Sequence, residues 1–271
     1  MSGKLLPYAQ MIQDLEFYRD IGKKYKLERS GSSVALFVNG VKYFSSTVNK
    51  NRANTSLPNK EIYFIMKVKR YILKNDLVNS IPKNYKEPSE ITYISFNNDI
   101  GAGEVLQKPY SIDITAAYWQ TAYQQGWINE ALFEEGKRLD KRIRLASLGS
   151  FAKRIYIYEF NGRRERLVDV IKPDYPHVFF NQAKVINGVM DACKDAVGDD
   201  FIFYWTDGVY VKNKKAAKIC EDIINQYGYG YKTERLVSII RHPNGFQTIE
   251  QNIKADGRIQ RKKKLYKSDI V

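Results

Sequence analysis

The clearest pattern in the chain is a pair of apolar runs joined by a short polar turn. Residues 201–211 read FIFYWTDGVYV, so strand-forming side chains lie on both sides of Thr206, Asp207 and Gly208. Asp-Gly is a strong signal for a tight turn, and the segment therefore predicts a β-hairpin with Asp207 at its tip. The Asp207 carboxylate is either part of an ordinary turn or a metal ligand that a rigid hairpin presents.

A second carboxylate lies in a short strand-forming segment earlier in the chain. Residues 110–115 predict a strand that contains Asp113, and residues 116–127 change to a helical pattern. An acidic side chain in an apolar strand is costly unless it is paired or bound to a metal. A strand that runs into a helix would place Asp113 at a sheet edge, facing a cleft. The alternative is a partly exposed carboxylate on an edge strand.

The remaining periodicity predicts helices and hairpins on both sides of these segments. Asn39-Gly40 and Asn161-Gly162 each mark a hairpin turn, whereas the pattern in residues 60–75 does not distinguish helix from strand. The other predicted elements are helices over 7–25, 130–150, 181–196 and 214–226, and strands over 91–96, 233–241, 246–254 and 258–266. Helices segregated from antiparallel strands indicate the α+β class.

The chain carries a large positive charge. Its 271 residues include 44 Lys and Arg against 30 Asp and Glu, a formal net charge of +14. This charge favours a polyanionic partner, and nucleic acid is the commonest one. Among 20 Tyr and 13 Phe, most are expected in the core, and the rest would suit base stacking beside basic residues.

The few cysteines and histidines argue against a zinc site and a disulfide framework. Cys193 and Cys220 are far apart, and with only His177 and His242 beside them a zinc site is not expected. Two distant cysteines imply no disulfide framework, which fits a reducing cytoplasm. No apolar run reaches transmembrane length, so no membrane partner is expected. The expected location is the cytoplasm, which for a viral or mobile-element protein would be that of the host.

The predicted helix over residues 130–150 is densely basic. Arg138 and Lys141 are three positions apart and would share one face of a continuous helix, with Arg144 close by. Cations in this arrangement could neutralise a nucleotide triphosphate, where negative charge develops on the leaving pyrophosphate. The alternative is a solvated helix in which Glu134 pairs with Arg138.

The chain ends in a second basic segment. In a strand over residues 258–266, Lys262, Lys264 and Tyr266 would share one face, and Lys263 would lie on the other. Such a strand could bind a phosphate backbone. The alternative is a solvated chain end whose charges serve solubility.

The carboxylate segments resemble two motifs of family B DNA polymerases. Asp113 and Tyr118 match the Asp and Tyr of motif A, Asp-x-x-Ser-Leu-Tyr-Pro, although the Ser, Leu and Pro are replaced. Thr206 and Asp207 match the last Thr-Asp of Asp-Thr-Asp in motif C, and Trp205 stands where its first Asp would be.

The two basic segments are similar to further motifs of the same family. Lys141 and Gly149 match the Lys and Gly of motif B, Lys-x-x-x-Asn-Ser-x-Tyr-Gly, whose Asn, Ser and Tyr are replaced. Residues 263–266, KKLY, are similar to the Lys-Lys-x-Tyr segment that follows the palm. The four motifs keep their order and span a little over half of the chain.

The resemblance implies a palm-like antiparallel sheet with helices packed on one face, rudimentary fingers and no clear thumb. It implies an N-terminal α+β region over 1–90 and a catalytic region over 91–271, with fingers at about 120–150. The implied activity is template-dependent DNA synthesis, in which two Mg²⁺ or Mn²⁺ ions align a 3′-hydroxyl with a deoxynucleoside triphosphate. The implied partners are a DNA primer–template and replication proteins.

Roles for individual residues follow from the same resemblance. The implied catalytic residues are Asp113 and Asp207, and Ile114 completes the implied metal site with them. Nucleotide contacts are implied for Lys141, Arg138, Arg144 and Tyr118, with Tyr118 as the filter against a 2′-hydroxyl. Nucleic-acid contacts are implied for Lys262, Lys263, Lys264, Tyr266 and Thr206.

Three other functions stay open at this point. The loss of one motif C Asp favours a palm-derived nucleic-acid-binding protein that does not catalyse. Primase-like or terminal nucleotide addition would use the same residues. A cyclic-nucleotide synthase on a similar palm is a further alternative.

Overall fold

A computed structural model describes residues 4–30, 33–46, 59–75, 77–81, 93–253 and 259–267. In chain order the elements are β1 (Lys4–Leu5), α1 (Tyr8–Asp20), β2 (Tyr25–Ser30), β3 (Ser33–Val38), β4 (Val41–Ser46), α2 (Asn59–Lys74), α3 (Leu77–Ser80), β5 (Ile94–Phe96), β6 (Val105–Gln107), β7 (Tyr110–Ile114), α4 (Ala117–Gln124), α5 (Glu130–Lys137), α6 (Lys141–Gly149), β8 (Ile155–Phe160), β9 (Glu165–Ile171), α7 (His177–Val197), β10 (Phe201–Trp205), β11 (Gly208–Val211), α8 (Lys214–Gln226), β12 (Tyr231–Arg235), β13 (Ser238–His242), β14 (Gly245–Ile253) and β15 (Ile259–Lys267).

The chain divides into two compact units, each assembled from two stretches of sequence. Unit 1 comprises the described residues of Met1–Ile81 and Arg138–Phe179, and unit 2 comprises those of Pro82–Lys137 and Phe180–Val271. This differs from the predicted division at residue 90, because residues 138–179 belong with the N-terminal part. The reason is strand pairing: β8 pairs with β2, so the hairpin β8–β9 completes the N-terminal sheet.

Unit 1 contains a six-stranded sheet in the order β1-β4-β3-β2-β8-β9. Helix α1 covers one face, where Met11 and Leu15 pack against Leu27 and Leu36. The ambiguous segment over 60–75 is the helix α2, which packs against α6. Its buried Phe64, Val68 and Ile72 recur every four residues, as one face of a helix requires.

Unit 2 is organised around a five-stranded sheet in the order β12-β7-β11-β10-β5, in which every pair is antiparallel. The predicted hairpin is its centre, with β10 and β11 joined by Thr206 and Asp207. The α+β class is therefore confirmed. The apolar runs of the hairpin are buried because both faces of the sheet are covered.

One face of this sheet is covered by helices α7 and α8. Ile112 and Ile114 of β7 pack there with Met190 of α7 and Ile224 of α8. Because side chains alternate along a strand, Asp113 lies on the opposite face from these two isoleucines. The arrangement agrees with the predicted packing of helices on one face of the sheet.

A second sheet of unit 2, in the order β15-β14-β13-β6, packs against the other face. Phe246 of β14 stacks on Phe203 of β10 with ring centroids 4.9 Å apart. Tyr266 of β15 contacts the same ring and donates to, or accepts from, the Tyr210 hydroxyl at 2.5 Å. These aromatic side chains fasten the basic C-terminal strand to the central sheet. That strand is observed from Ile259, and the predicted first residue, Arg258, lies outside the described residues.

Two predicted elements are each divided in two. The predicted helix 130–150 consists of α5 and α6, because Asp140 caps the start of α6 by accepting from the Arg142 N–H at 2.8 Å. Arg138 lies in the break, so the prediction that it shares a helix face with Lys141 is wrong. The predicted strand 233–241 consists of β12 and β13, which join different sheets around the buried Leu236.

Candidate active site

The structure brings the two sequence-predicted carboxylates to neighbouring positions in unit 2. Asp113 of β7 pairs directly with Gly208 of β11, the residue after Asp207. The Ile114 N–H donates to the Asp207 carbonyl at 2.9 Å, so the residue after Asp113 holds the hairpin tip. A Cβ atom on Gly208 would lie 3.0 Å from Asp113 Oδ1. The Asp113 carboxylate therefore lies against the hairpin backbone, one residue from Asp207.

The turn that carries Asp207 has a strained backbone. Thr206 has φ 54°, a left-handed conformation that β-branched residues rarely adopt. The strain is held by the surrounding contacts, since the Thr206 N–H donates to the Tyr93 carbonyl at 2.6 Å. Such strain costs about 1–3 kcal/mol and clusters at functional sites, which distinguishes this turn from an ordinary one.

The Thr206 hydroxyl forms its hydrogen bonds within the turn. It lies 2.8 Å from the Trp205 carbonyl and 3.0 Å from Asp207 Oδ1, so its proton is shared between two acceptors. The resemblance assigned Thr206 a contact with nucleic acid. In the structure its side chain orients the Asp207 carboxylate instead.

A second left-handed residue lies just after Asp113. Ala116 has φ 50° and precedes helix α4, so the chain turns sharply between the Asp113 strand and that helix. Tyr118, in the first turn of α4, is half-buried against the core of unit 2. Burial raises the pKa of its phenol, and the nearby Tyr93 and Asp207 raise it further. The phenol thus stays neutral and lies within electrostatic range of the Asp207 carboxylate.

A salt-bridged pair on β12, Lys232 and Glu234, lies beside Asp113 and was not among the predicted site residues. Lys232 pairs directly with Asp113 across β7 and β12, and it forms a salt bridge with Glu234. The pKa of Lys232 is raised first by its hydrogen bond to Glu234 and, to a smaller extent, by Asp113. The alternation of charges in YKTER was visible, but only the strand register shows that this lysine faces Asp113.

The basic C-terminal strand reaches the same face of the central sheet. Lys262 and Lys264 share the face of Tyr266, which packs against Tyr210. Burial raises the pKa of the Tyr210 phenol, and Tyr266, Asp113 and Glu250 contribute in that order. Tyr210 therefore contacts Tyr266 and lies within electrostatic range of the Asp113 carboxylate. The basic strand that carries Tyr266 thus lies on the same side of the sheet as Asp113.

Only part of this strand is available to a ligand. Tyr266 is 2 % exposed, so the prediction that it contacts nucleic acid is wrong, because the aromatic core occupies its ring. Lys264 lies over that ring, with Nζ 4.5 Å from the centroid, and Lys262 pairs with Glu250 at 3.8 Å. Lys263 is exposed on the opposite face. Residues 259–267 form a paired strand rather than a disordered chain end, and their charged side chains are largely exposed.

The position of the missing motif C carboxylate is occupied by an aromatic contact. Trp205 pairs with Ile94 of β5 and lies edge-on to Tyr266, with centroids 5.2 Å apart. The indole therefore helps to fasten the second sheet of unit 2. Its role is structural, whereas the acidic residue of the motif would have been a metal ligand.

The predicted nucleotide-binding cations belong to unit 1. Lys141 is exposed at the start of α6, and Arg144 donates to the Leu139 carbonyl at 2.9 Å. Arg142 binds the Asp140 carboxylate through its side chain and its N–H, which lowers the pKa of Asp140 to about 2. These basic residues therefore cluster at the start of α6 in unit 1, whereas the candidate carboxylates belong to unit 2.

The carboxylate pair fits a divalent cation that a substrate helps to bind. Mg²⁺ usually has one or two protein carboxylates and completes its shell with water and phosphate oxygens. Asp113 and Asp207 supply that number. In the described part of the chain, no group of three or more His, Cys, Asp or Glu is arranged to hold a metal. The side chain of Ile114 is apolar, so only its main chain could contribute to the predicted metal site.

Comparisons with known proteins do not identify a family. The chain matches no protein-family model, and a search of curated proteins finds no match. Within the described residues, no helix is both long and apolar enough to cross a membrane. The fold and site define an α+β protein in which a carboxylate on the central antiparallel sheet lies beside the hairpin tip that carries a second one.

Proposed function

We propose that unit 2 is a palm-like nucleotidyltransferase domain that extends a nucleic acid from its 3′-hydroxyl. The observation that supports this most strongly is the placement of Asp113 directly beside the hairpin tip that carries Asp207. A carboxylate on β7 beside a second one in the turn of the neighbouring hairpin supplies the oxygen donors that phosphoryl transfer with divalent cations needs. The strained turn at Thr206 is consistent with a functional role for that tip.

In this proposal each residue near the carboxylates has a separate task. Asp113 and Asp207 would hold Mg²⁺ or Mn²⁺, and the two bound ions would activate the 3′-hydroxyl and stabilise charge on the phosphate. The Thr206 hydroxyl and the Ile114 N–H keep Asp207 in place. Lys264 is available for a phosphate of the nucleic-acid strand, since it lies on the carboxylate side of the sheet.

The finer form of the proposal concerns the substrate. Following the resemblance, we propose deoxynucleoside triphosphates and a DNA primer–template as substrates, with replication proteins as partners in a cytoplasm. Primase-like and terminal nucleotide addition would use the same carboxylates, and they differ only in the nucleic acid that is supplied.

The direct test is nucleotide incorporation by the full chain. With a labelled primer–template and four deoxynucleoside triphosphates, we expect extension in the presence of Mg²⁺ or Mn²⁺ and none in EDTA. A bare single strand, and a template without a primer, separate terminal addition and primase-like synthesis from primed synthesis. If neither ion supports incorporation on any of these substrates, the proposed function is wrong.

Tyr118 gives a prediction about sugar selection. If its ring limits the space beside the sugar, Tyr118→Ala should raise the use of ribonucleotides relative to deoxynucleotides by about tenfold or more. Competition between the two nucleotides in single-nucleotide extension measures this ratio. Tyr118→Phe is the matched control, because it keeps the ring and should keep the ratio. An unchanged ratio in Tyr118→Ala would show that Tyr118 is only a core aromatic residue.

One observation favours a second candidate, a palm-derived nucleic-acid-binding protein without catalysis. Lys232 lies directly opposite Asp113 and has Asp113 within electrostatic range, so a cation already partly neutralises that carboxylate. Trp205 also replaces one acidic residue of motif C. This candidate predicts binding to a primer–template that is the same in Mg²⁺ and EDTA, with no incorporation, so the same experiment distinguishes the two.

A further inference from the structure

The positive charge of the protein is concentrated in unit 1. Counted over the sequence, the two stretches of unit 1 contain 24 Lys and Arg against 11 Asp and Glu, a net charge of +13. The stretches of unit 2 contain 20 against 19, a net charge of +1. The candidate carboxylates thus lie in a nearly neutral unit, and the polyanion attraction inferred from composition belongs to the other unit.

Within unit 1 the charge gathers on the helix pair α2 and α6 and the segment that follows α6. Helix α2 contains five Lys or Arg and one Glu, and residues 138–154 contain six Lys or Arg and one Asp. The two helices pack against each other, so these charges belong to one part of the unit. A concentration of one sign, with so few opposite charges, is the electrostatic footprint of an anion-binding surface.

Two lysines at the edge of this surface lie within electrostatic range of each other. Lys69 of α2 lies over the Phe151 ring, with Nζ 5.6 Å from its centroid, and Lys153 donates to the Ser33 hydroxyl at 3.5 Å. Burial lowers the pKa of Lys153, and the nearby charge of Lys69 lowers it further. The Lys153 ammonium, whose charge is disfavoured in this way, would be stabilised by a bound anion.

The outer face of α2 also carries exposed apolar side chains. Tyr63 is 65 % exposed and Met66 is 46 % exposed, and they lie on the same helix face as Arg70 and Lys74. Aromatic side chains beside cations are the arrangement with which proteins bind single strands, because bases stack on the rings while cations contact phosphates.

We propose that the outer face of α2, defined by Tyr63, Met66, Arg70 and Lys74 with Lys69 at its border toward α6, binds single-stranded nucleic acid. Its cations contact the phosphates, and the Tyr63 ring stacks on an unpaired base. The residues of this face belong to unit 1 and the carboxylates belong to unit 2, and the proposal does not depend on the proposed catalytic function. Through this face the protein would bind nucleic acid in the absence of a metal.

Another basic and aromatic surface of unit 1 is less suitable. On the face of the sheet opposite α1, Lys26 and Lys42 lie near the Phe37 ring, at 5.7 and 4.5 Å from its centroid. Both lysines also pair with Glu28, at 3.8 and 3.6 Å. Their charge is therefore partly neutralised within the protein, whereas α2 contains a single acidic residue.

The test is a salt titration of binding to a labelled single-stranded oligothymidine of about 20 nucleotides, in EDTA, followed by fluorescence anisotropy. The variant combines Lys69→Gln, Arg70→Gln and Lys74→Gln. We expect affinity to fall on the order of 10- to 100-fold, and the log–log salt slope to become smaller by about two units, since each lost contact to a single strand contributes about 0.7. Tyr63→Ala should weaken binding by about 5- to 100-fold with the slope unchanged, and Tyr63→Phe should not.

The matched control removes the same charge from another exposed part of unit 1, by Arg163→Gln and Arg164→Gln in the turn between β8 and β9 and Arg166→Gln at the start of β9. This control should keep nearly all of the affinity. The proposal is overturned if the α2 variant binds like the wild type, or if the control loses as much. Binding of anionic lipid vesicles without binding of the oligonucleotide would also overturn it. Because EDTA removes metal dependence, failure here leaves the proposed catalytic function untouched.

Discussion

Asp113→Asn and Asp207→Asn should each reduce metal-dependent nucleotide incorporation by about a thousandfold or more. Each change keeps the size of the side chain and removes the negative oxygen that a divalent cation needs, which is worth several kcal/mol in the transition state. Initial rates of primer extension at saturating Mg²⁺ measure the effect. Asp222→Asn, at an exposed position of α8 where the side chain pairs with Lys218, is the matched control and should keep full activity.

The stability of these variants separates a functional carboxylate from a structural one. Asp113 is exposed, and its replacement removes both the repulsion from the nearby Asp207 and the attraction to Lys232 opposite it, so thermal stability should stay nearly unchanged. Loss of activity with a retained melting temperature supports the metal-binding role. Full incorporation in either variant would rule out the assignment of that residue, and a large loss of stability would indicate a structural role.

Gly245→Ala should lower the free energy of unfolding by about 3 kcal/mol. A Cβ atom at Gly245 would lie 1.8 Å from the Tyr266 carbonyl oxygen, and that oxygen belongs to the backbone of β15. The backbone of the neighbouring strand must therefore move. The movement would also disturb the packing of Tyr266 against Phe203 and Tyr210, which holds the basic strand on the central sheet.

Urea unfolding of the full chain measures this prediction through the change in midpoint. Gly188→Ala is the control, because Gly188 lies inside helix α7 and, among the described residues, no atom beyond the local helix backbone and its two chain neighbours is within 4 Å of the added Cβ. That change should be neutral or should stabilise the protein by up to about 1 kcal/mol, since alanine is the better helix former. A midpoint for Gly245→Ala equal to that of the wild type would mean that β15 is not held as the structure shows.

The excess positive charge and the candidate carboxylates belong to different units of the protein. Unit 1 supplies nearly all of the excess positive charge, and unit 2 contains the two candidate carboxylates. Affinity and catalysis should then respond to different substitutions: changes on α2 should affect binding and its salt dependence, whereas changes at Asp113 and Asp207 should affect the rate at saturating nucleic acid.

The local patterns in the sequence were sufficient to predict most of the helices and hairpins. Helix α8 spans the predicted residues, Lys214–Gln226, because its amphipathic period and the Asn213 cap are both local. The hairpins at Asn39-Gly40, Asn161-Gly162 and Asp207 are likewise present, since each depends on a turn signal between two strand-forming runs. The proximity of Asp113 to Asp207 was proposed from a resemblance, and the pairing of β7 with β11 supports it.

The sequence by itself therefore determined the α+β class, the central hairpin and the two candidate carboxylates, because these follow from short-range periodicity and turn chemistry. Only the tertiary structure decided that β8 joins β2, that Lys232 faces Asp113, that Tyr266 is buried, and that the positive charge belongs to one unit. Each of these depends on which distant strands pair and in which register. A shift of one residue would exchange the faces of every side chain in a strand, and a local sequence pattern does not specify that register when the partner strand is far away in the chain.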